Sequence, residues 1–510
     1  MPETSLETVG RRSFLGTVGA AAVGTATFSG ETTAIASDYE TINVVEAGAD
    51  NTGNESITPV LTELRSDNRK LYFPPGEYYM DERFRFTGFD KLWLLGNDAT
   101  IVPAPADEFD GPQRLFKLGT YYAPGDWLRM GGFTFDFRAD NTGLRAIQAQ
   151  VNDCYIHDID FVGQHDAGTH GPMLVDVVDP NRVGAVDRVR MPDGGAWTEN
   201  TAGDGYPEVL WGPTGFVVSP YHSGKLWVRD CVIDGFPDNG LYDSGGDGRV
   251  VVRGGRFSNC NTSNIRLDGD ASTIQNATVV VDDARDRDNN QRGIRLDGGE
   301  NCWVTDCKIV LDQPNGHAIT VMPKNGSTKI ENTTITAAAD DESNDAIIMV
   351  SEGAGDVTVH NVDIETHCPG QAIEIRAGEG DVLVEECTVT GRASGATGGR
   401  NAIRCERDGT RFLDNTVTQP GPNYRRALSL LADDCVVAKG FYESTHHAIM
   451  NHGVGNVVTK VTARSYDDYA GLRVYDGSLD LYWSTVYEGV RGSYDGYGNE
   501  FPSRSSGGGC

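Results

Sequence analysis

The chain has 510 residues, and its 43 Lys and Arg face 74 Asp and Glu, which gives a formal net charge of −31. A nucleic-acid-binding protein needs a basic surface, so this balance argues against nucleic acid as a partner. Acidity alone indicates only good solubility.

The N-terminus has the pattern of an export signal. Arg11 and Arg12 precede a weakly apolar run at residues 16–28, and Ala-Ile-Ala at 34–36 is a small-x-small site. This order resembles a twin-arginine secretion signal, so we expect residues 1–36 to be removed and the protein to be secreted or held at the cell surface. The alternative is a disordered cytoplasmic tail. The apolar run is too short and too rich in glycine for a membrane span, and we expect none elsewhere.

The composition also resembles that of proteins from salt-adapted cells of haloarchaeal type. Only 9 of the 43 basic residues are lysines, and the carboxylates are spread over the whole chain. At 1 M salt the Debye length falls to about 3 Å, so dense carboxylates are tolerated. We expect a monomer.

Residues 37–110 are predicted to form an N-terminal cap and the first coil. A strand-like run at 41–49 is followed by a polar turn, a helical stretch near 57–64, and a β-run at 71–80 that contains the phrase FPPGEY. This order resembles the opening segment of the pectin-lyase-like superfamily of right-handed parallel β-helices. The resemblance implies a short helical cap, which would cover the exposed apolar end of a solenoid.

A short phrase then returns along the chain. It reads NGLYDS at 239–244, SNIRLD at 263–268 and RGIRLD at 292–297, and a turn with glycine and a second apolar run follow each copy. A period of roughly 20–30 residues built from short alternating strands is typical of a solenoid with one continuous core. We predict an all-β right-handed parallel β-helix of about 12–14 coils over residues 111–491, with a flexible tail at 492–510.

The repeat is interrupted at 164–215. This stretch contains His165, His170, Trp197 and Trp211 among many Gly, Pro and Asp residues, without a clear strand period. A long connection without a coil usually marks a functional loop or a disordered insertion. Its aromatic residues favour an ordered flap beside the solenoid, so Trp211 is a candidate substrate-binding residue.

The positions of the ten cysteines favour buried core thiols over disulfide bonds. When the second apolar runs of the coils are aligned, one position contains Cys in some coils and Gly, Ala, Thr or Val in others. This position therefore needs a small buried side chain. Six cysteines are assigned to the core on this basis: Cys154, Cys231, Cys307, Cys387, Cys405 and Cys435. Cys302 and Cys307 alone do not make a zinc site, and we assign no metal ligands.

Outward side chains of stacked strands form columns in which successive residues are about 4.8 Å apart, and such a flat polar face suits an extended polymer. We predict polysaccharide contacts for six charged residues on this face: Arg266, Asp268, Arg295, Asp297, Glu374 and Arg376. The alternative is a grid of surface ion pairs, each of little energetic value. Calcium is a further alternative, either between Asp268 and Asp297 or in the acidic loop at 282–290.

A second column begins these strands and contains Arg292, His317 and Asp345. A carboxylate can orient an imidazolium, and an arginine can offset the charge of a uronate, so the three residues are candidates for a catalytic base and its partners. The alternative is a row of polar turn residues at the rim of the sheet.

Polygalacturonases are similar in fold, and their motifs read NTD, DD, GHG and RIK on successive coils. Here Ser263 stands in place of the Asp of NTD, Gln291-Arg292 replaces DD, and only the coil of His317 resembles GHG. Inverting hydrolysis would lack its carboxylate pair at these positions. We therefore expect a lyase or glycosidase that acts on an acidic polysaccharide, and the alternative is a non-catalytic carbohydrate-binding or structural solenoid.

Overall fold

The structure is a computed structural model that describes residues 39–201, 212–338, 346–393, 401–420 and 424–503. The chain divides into the units Met1–Glu40 and Thr41–Cys510, and only residues 39 and 40 of the first unit are described. The second unit is built from three ladders of parallel strands, called A, B and C in the order in which each coil visits them. No helix in these described ranges is long and apolar enough to cross a bilayer.

Ladder A defines the coils, which are numbered by its strands. Its described strands are Phe84–Phe86, Arg114–Leu118, the start of Arg145–Val162, Met173–Val177, Phe216–Val218, Asn239–Asp243, Ser263–Leu267, Ile294–Leu296, Ile319–Val321, Ile348–Val350, Ile373–Ile375, Asn401–Cys405, Arg426–Leu430, Ile449–Asn451, Leu472–Val474 and Val490–Arg491. The chain therefore forms about 16 turns, more than the 12–14 expected.

Ladder B follows in each coil. Its strands are Arg69–Phe73, Lys91–Pro103, Gly125–Asp136, the middle of Arg145–Val162, Val183–Met191, Lys225–Arg229, Arg249–Arg253, Thr273–Gln275, Cys302–Thr305, Ser327–Glu331, Asp356–His360, Val382–Glu385, Arg411–Leu413, Val436–Ala438, Asn456–Thr459, Leu479–Tyr482 and Asp495–Tyr497. The first strand in the described part of the chain is Glu40–Asn43. Part of the tail expected to be flexible thus pairs with the solenoid, because Tyr497 lies opposite Tyr482.

Ladder C closes each coil. It takes the second halves of the long strands that begin in ladder B, together with Thr52–Ser56, Gly76–Met80, Val232–Asp234, Arg256–Ser258, Thr278–Val281, Lys308–Leu311, Thr334–Ala337, Asp363–Thr366, Thr388–Thr390, Thr416–Gln419, Phe441–Ser444, Thr462–Ser465 and Thr485–Val486. Many corners between ladders B and C contain a left-handed residue, as at Asn276 (φ 55°), Asn332 (φ 50°) and Asn361 (φ 51°). Asparagine adopts this conformation readily, which allows a very tight corner.

The predicted helix is present as Thr58–Glu63, with Ile57 and Leu61 buried. The stretch at 164–215 differs from expectation, because Met173–Val177 and Val183–Met191 pair with the strands before and after them. Part of the expected insertion is therefore an ordinary coil. A 3-10 helix at Thr198–Asn200 follows, whereas Trp211 lies outside the described residues.

The core is one continuous stack of inward side chains, including Leu241, Ile265, Ile294 and Ile319, all fully buried. The stack continues with Ile348, which pairs with Ile319. The neighbouring Ile347 is an equally apolar candidate for this position in the sequence, but the strand register selects Ile348. Residues 346–350 are all apolar or small and buried, so they lack the alternation that would have shown the correct face.

The described cysteines confirm the prediction of core thiols. Nine of them are free and buried, including Cys260, Cys302 and Cys368, for which the repeat had indicated no position. Burial raises the pKa of Cys231 to about 12, so this thiol stays protonated and unreactive. Cys510 lies outside the described residues.

Candidate functional site

The outward side chains of ladder A form two columns, and together they are called the ladder A face. Strand register places these residues in the middle column: Tyr242, Arg266, Arg295, Thr320, Met349, Glu374, Arg404 and Ser429. The second column lies two residues further along each strand, and it contains Ser244, Asp268, Asp297, Met322, Ser351, Arg376 and Glu406. Because Ile348 and Val350 stack on Ile319 and Val321 in the core, Met349 and Ser351 lie on this face.

Coils 6 to 8 carry a compact charged cluster on the ladder A face. Asp297 accepts hydrogen bonds from Arg266, 2.6 Å from Nε and 2.5 Å from Nη2, and a further short one from Arg295. The Arg266 guanidinium lies 4.3 Å from the ring centroid of Tyr242. The three ion-paired side chains are only 12–22% exposed, so solvent screens them less than it screens an ordinary surface pair. The structure thus brings together three of the predicted residues, Arg266, Arg295 and Asp297.

Asp268 occupies the same column as Asp297 but has a different environment. Leu267 pairs with Leu296, so the two carboxyl groups stand on neighbouring coils. Burial, followed by the negative charge of Asp297, raises the pKa of Asp268, although Lys324 and the two arginines of the cluster oppose the shift. Asp268 has no cationic nitrogen within 4 Å among the described residues.

Glycines leave the space that the Asp268 side chain fills. A Cβ atom on Gly298 would lie 2.0 Å from Asp268 Oδ1, and one on Gly245 would lie 3.0 Å from Oδ2. Side chains at these two turns would therefore displace the carboxyl group. The sequence indicates this open space in the phrase RLDGG at 295–299, in which glycine directly follows the charged end of the strand.

A second carboxyl group, missed by the sequence analysis, supports Asp268 from inside. Asp243 points into the core and is 2% exposed. It accepts hydrogen bonds from the backbone N–H groups of Gly245 (3.3 Å), Asp268 (3.4 Å) and Gly269 (3.2 Å). Burial raises the pKa of Asp243 to about 6. The sequence could have indicated this residue, because Asp243 occupies an inward position at which the next two coils have Leu267 and Leu296.

The other predicted trio lies at the corner where ladder A begins. Arg292 and His317 occupy neighbouring coils, and Gly293 N donates to His317 O over 2.9 Å. His317 Nδ1 lies 2.7 Å from Ala346 O. Asp345 lies outside the described residues, and the register of Ile319 with Ile348 puts position 346, not 345, opposite His317.

His447 repeats the contact of His317. Its Nδ1 lies 2.7 Å from Ala470 O, the carbonyl group of the next coil. Both histidines begin the phrase His-Ala-Ile. A contact that recurs at a second coil favours a role in joining coils, while the catalytic role of Arg292, His317 and Asp345 stays a prediction.

Glu374 and Arg376 lie three coils beyond Asp297, about 14 Å away along the ladder. Arg376 Nη2 lies 3.5 Å from Glu374 Oε2, and the Arg376 side chain is half exposed. Arg404 and Glu406 form the same kind of pair on the next coil. The structure thus separates these residues from the cluster on coils 6 to 8.

A cleft of about 560 Å³ opens at the corners that lead into ladder A. It is lined by Gln164, Asp166, Gly195, Ala196, Trp197, Glu199, Asn200, Arg285, Asp286 and Arg287. Arg285 fixes one wall, since its Nη1 donates to Gly195 O (3.1 Å) and Gly235 O (2.8 Å) while its Nε donates to Asp288 (2.8 Å). Arg285 therefore anchors the loop at 282–290 to the neighbouring coils. Within the described ranges, no three His, Cys, Asp or Glu side chains converge as a metal site.

The family described as "Right handed beta helix region" matches residues 239–417. With the three parallel ladders, this match defines the protein as a right-handed parallel β-helix. No curated protein sequence matches the chain significantly.

Several solved structures are similar to this chain. One is the catalytic unit of a GH87 alpha-1,3-glucanase from Streptomyces thermodiastaticus, with 14% identity, TM-score 0.34, and coverage of 90% of this chain and 68% of that one. Another is the surface protein and adhesin PfbA of Streptococcus pneumoniae, with 11% identity, TM-score 0.38, and coverage of 91% and 100%. A double mutant of the tailspike protein of E. coli bacteriophage HK620 has 10% identity, TM-score 0.44, and coverage of 88% and 77%.

Proposed function

We propose that the protein binds an acidic polysaccharide along the ladder A face and cleaves its glycosidic bonds at coils 6 to 8. The observation that carries this proposal is the pair of neighbouring carboxyl groups in opposite environments. Asp297 is held by two guanidinium groups, whereas Asp268 is half-buried with a raised pKa. A half-buried carboxyl group with a raised pKa, next to a carboxylate held in ion pairs, is typical of an acid and its charged partner.

The charges around the pair support an anionic substrate. Arg266, Arg295 and Lys324 face the carboxyl groups of Asp268 and Asp297, so below about pH 6, where the buried Asp243 keeps its proton, the cluster carries a positive excess in a chain of net charge −31. Protonation of Asp268 removes one negative charge and raises the net charge of the cluster by one. A sugar carboxylate is therefore attracted to this part of an otherwise acidic surface.

In the proposed reaction Asp268 gives its proton to the glycosidic oxygen while the bond from that oxygen to the anomeric carbon breaks. Asp297, on the next coil, stabilises the positive charge that develops on the sugar. A water molecule then adds to the anomeric carbon, and its proton returns to Asp268. Neighbouring coils stand about 4.8 Å apart, close to the separation of about 5–5.5 Å in retaining glycosidases.

The test compares Asp268→Asn with the wild-type chain on polygalacturonate, alginate and hyaluronan, with dextran as the neutral reference. We expect the variant to release reducing ends at least about 100-fold more slowly, the usual contribution of a general acid. Binding of the polymer should remain. The wild-type rate should fall as pH rises through the raised pKa of Asp268, because only the protonated carboxyl group can donate.

Asp247→Asn is the matched control, since Asp247 is exposed in the turn after coil 6. A wild-type rate in the Asp268→Asn variant would rule out this mechanism. Unsaturated products that absorb in the ultraviolet would instead indicate a lyase, and the Arg292 and His317 corner would then be tested by His317→Ala.

A non-catalytic carbohydrate-binding solenoid is the second candidate. The saturation of Asp297 by Arg266 and Arg295 favours it, because an ion-pair network with no open partner also works as a rigid binding surface. In that case the wild-type chain binds acidic polymers and releases no product from any of them. Equilibrium binding and product analysis on the same samples separate the two candidates.

We also propose that the twin-arginine signal exports the chain as a monomer into a salty medium. Replacing Arg11 and Arg12 by lysine should leave the full-length chain in the cytoplasm of its producing cell. A replacement of nearby Thr8 by serine serves as the control. Export of the lysine variant would contradict the proposed route.

A further inference from the structure

The first coils of the ladder A face carry a concentration of positive charge. Arg85 pairs in register with Lys117, and Arg114 pairs with Arg145. Arg83 lies close enough to Arg85 and Arg114 for their charges to interact. These five residues are called the basic patch. Like charges side by side in a ladder are destabilising, so folding alone does not account for them.

Four members of the basic patch, Arg83, Arg85, Arg114 and Lys117, differ from the arginines of this protein that form ion pairs. Arg229, for example, is paired with Asp187 at 2.6 Å. Within the described part of the chain, no carboxylate oxygen lies within 4 Å of Arg83, Arg85, Arg114 or Lys117. These four side chains therefore leave a local positive charge that can attract an external anion.

A buried polar network holds one member of the patch in place. Lys117 Nζ donates to Gln150 (3.3 Å), Gln150 Nε2 donates to Asp176 (2.9 Å), and Ser219 Oγ donates to Asp176 (2.6 Å). Burial and the neighbouring Arg114 lower the pKa of Lys117 to about 8. The network links coils 2 to 5, at the cost of burying charged groups.

A stack of exposed tyrosines stands at the same coils. The rings of Tyr121 and Tyr221 lie parallel, with their centroids 4.0 Å apart, and Tyr122 meets Tyr121 edge-on at 5.0 Å. Tyr121 and Tyr221 are each 47% exposed, and Tyr122 is 68% exposed. Exposed aromatic clusters of this kind mark interaction surfaces.

Both ends of the tyrosine stack are held by the fold. Thr120 and Ala123 exchange two backbone hydrogen bonds, 3.1 and 3.0 Å, around the tip that carries Tyr121. On the other side Tyr221 N donates to Ser219 Oγ at 3.4 Å, so the stack is connected to the buried network. The rings are therefore positioned before any ligand arrives, which lowers the entropy lost on binding.

We propose that the basic patch and the tyrosine stack form a second carbohydrate subsite, which binds anionic sugar residues of a long polymer. The guanidinium groups of Arg83, Arg85 and Arg114 bind carboxylates, and the tyrosine rings pack against the apolar faces of the sugars. The inference rests on the proposed function, because the same polymer continues to coils 6 to 8. Five coil steps from Lys117 to Arg266 span about 24 Å. Only a polymer that reaches both sites gains from the second one.

The test uses the full chain with Arg83→Gln and Arg114→Gln combined. We expect the Kd for long polygalacturonate at fixed ionic strength to rise about tenfold, as the loss of two charge contacts implies. Cleavage of a short oligogalacturonide at coils 6 to 8 should not change. The combination Tyr121→Ala and Tyr221→Ala should weaken polymer binding as well.

The matched control combines Arg253→Gln and Arg411→Gln, two exposed arginines of ladder B that remove the same charge from another face. All variants are first compared by thermal unfolding. Equal polymer affinity of the patch variant and this control would overturn the subsite. Double-stranded DNA that binds the patch as tightly as the polysaccharide would overturn the assignment to sugars.

The two proposals fail in different ways. If the wild-type chain cleaves the polymer and the patch variant binds it normally, only the second subsite is wrong. If no polymer is cleaved but the patch variant still loses affinity, the subsite stands and the proposed cleavage is wrong. A wild-type chain that binds no acidic polymer would overturn both.

Discussion

Asp243→Asn is the change from which the structure gives the most quantitative expectation. Asp243 lies in the core beneath Asp268, and its carboxyl group accepts three backbone N–H groups. Burial nevertheless dominates and raises its pKa from 3.8 to about 6. Asparagine has nearly the same shape but does not ionise. The variant therefore isolates the energy of ionising this one buried group.

The sign follows from the two pKa values. The folded state holds the proton of Asp243 more tightly than the unfolded state, so ionisation destabilises the fold. The destabilisation is absent below pH 3.8, grows as pH rises, and is complete above about pH 6. At about 1.4 kcal/mol for each tenfold change in proton affinity, it reaches about 3 kcal/mol. The free energy of unfolding of wild type relative to Asp243→Asn should fall by this amount between pH 4 and pH 7.

The assay is guanidinium chloride unfolding followed by circular dichroism, in half-unit steps from pH 4 to pH 7.5. Asp247→Asn, which removes one exposed carboxylate from the neighbouring turn, is the control and is unfolded at the same pH values. Infrared difference spectra should show a protonated carboxyl band that disappears near pH 6 in wild type and is missing from Asp243→Asn. A stability difference that stays flat across this pH range would refute the reasoning.

Three further changes test the fold and the site. Arg407→Met should lower the free energy of unfolding by about 3–5 kcal/mol, because the buried guanidinium donates to five backbone carbonyl groups that would lose their partner; a loss no larger than that of the exposed control Arg411→Met would contradict this. Gly298→Ala should abolish cleavage while the chain stays folded, since the new Cβ would push against Asp268; normal rates would show that the carboxyl position is not critical. A Cys510→Ser chain should react with Ellman's reagent only after denaturation, because its nine other thiols are buried; thiols titrated in the native state would disprove that burial.

Much of the candidate site could be predicted because its residues recur in copies of one phrase. Arg266 with Asp268 and Arg295 with Asp297 have the same spacing in SNIRLD and RGIRLD, so their columns follow from alternation within a strand. The ion pairing across coils, in which Asp297 binds the arginine of the preceding coil, was not visible in the repeat. The opposite environments of Asp268 and Asp297 depend on burial and neighbours, which spacing does not report.

The sequence by itself determined the solenoid, its small core residues and the face that carries charge. These features depend on strand alternation and turn residues, which are local properties of a few consecutive positions. Only the tertiary structure decided which residues meet across coils. Positions 345–350 read DAIIMV, and a one-residue slip there exchanges the two faces of the strand. Stacking on Ile319 selects Ile348 for the core. Lys117 and Asp176 likewise join one network because the coils between them bring distant segments within hydrogen-bonding distance.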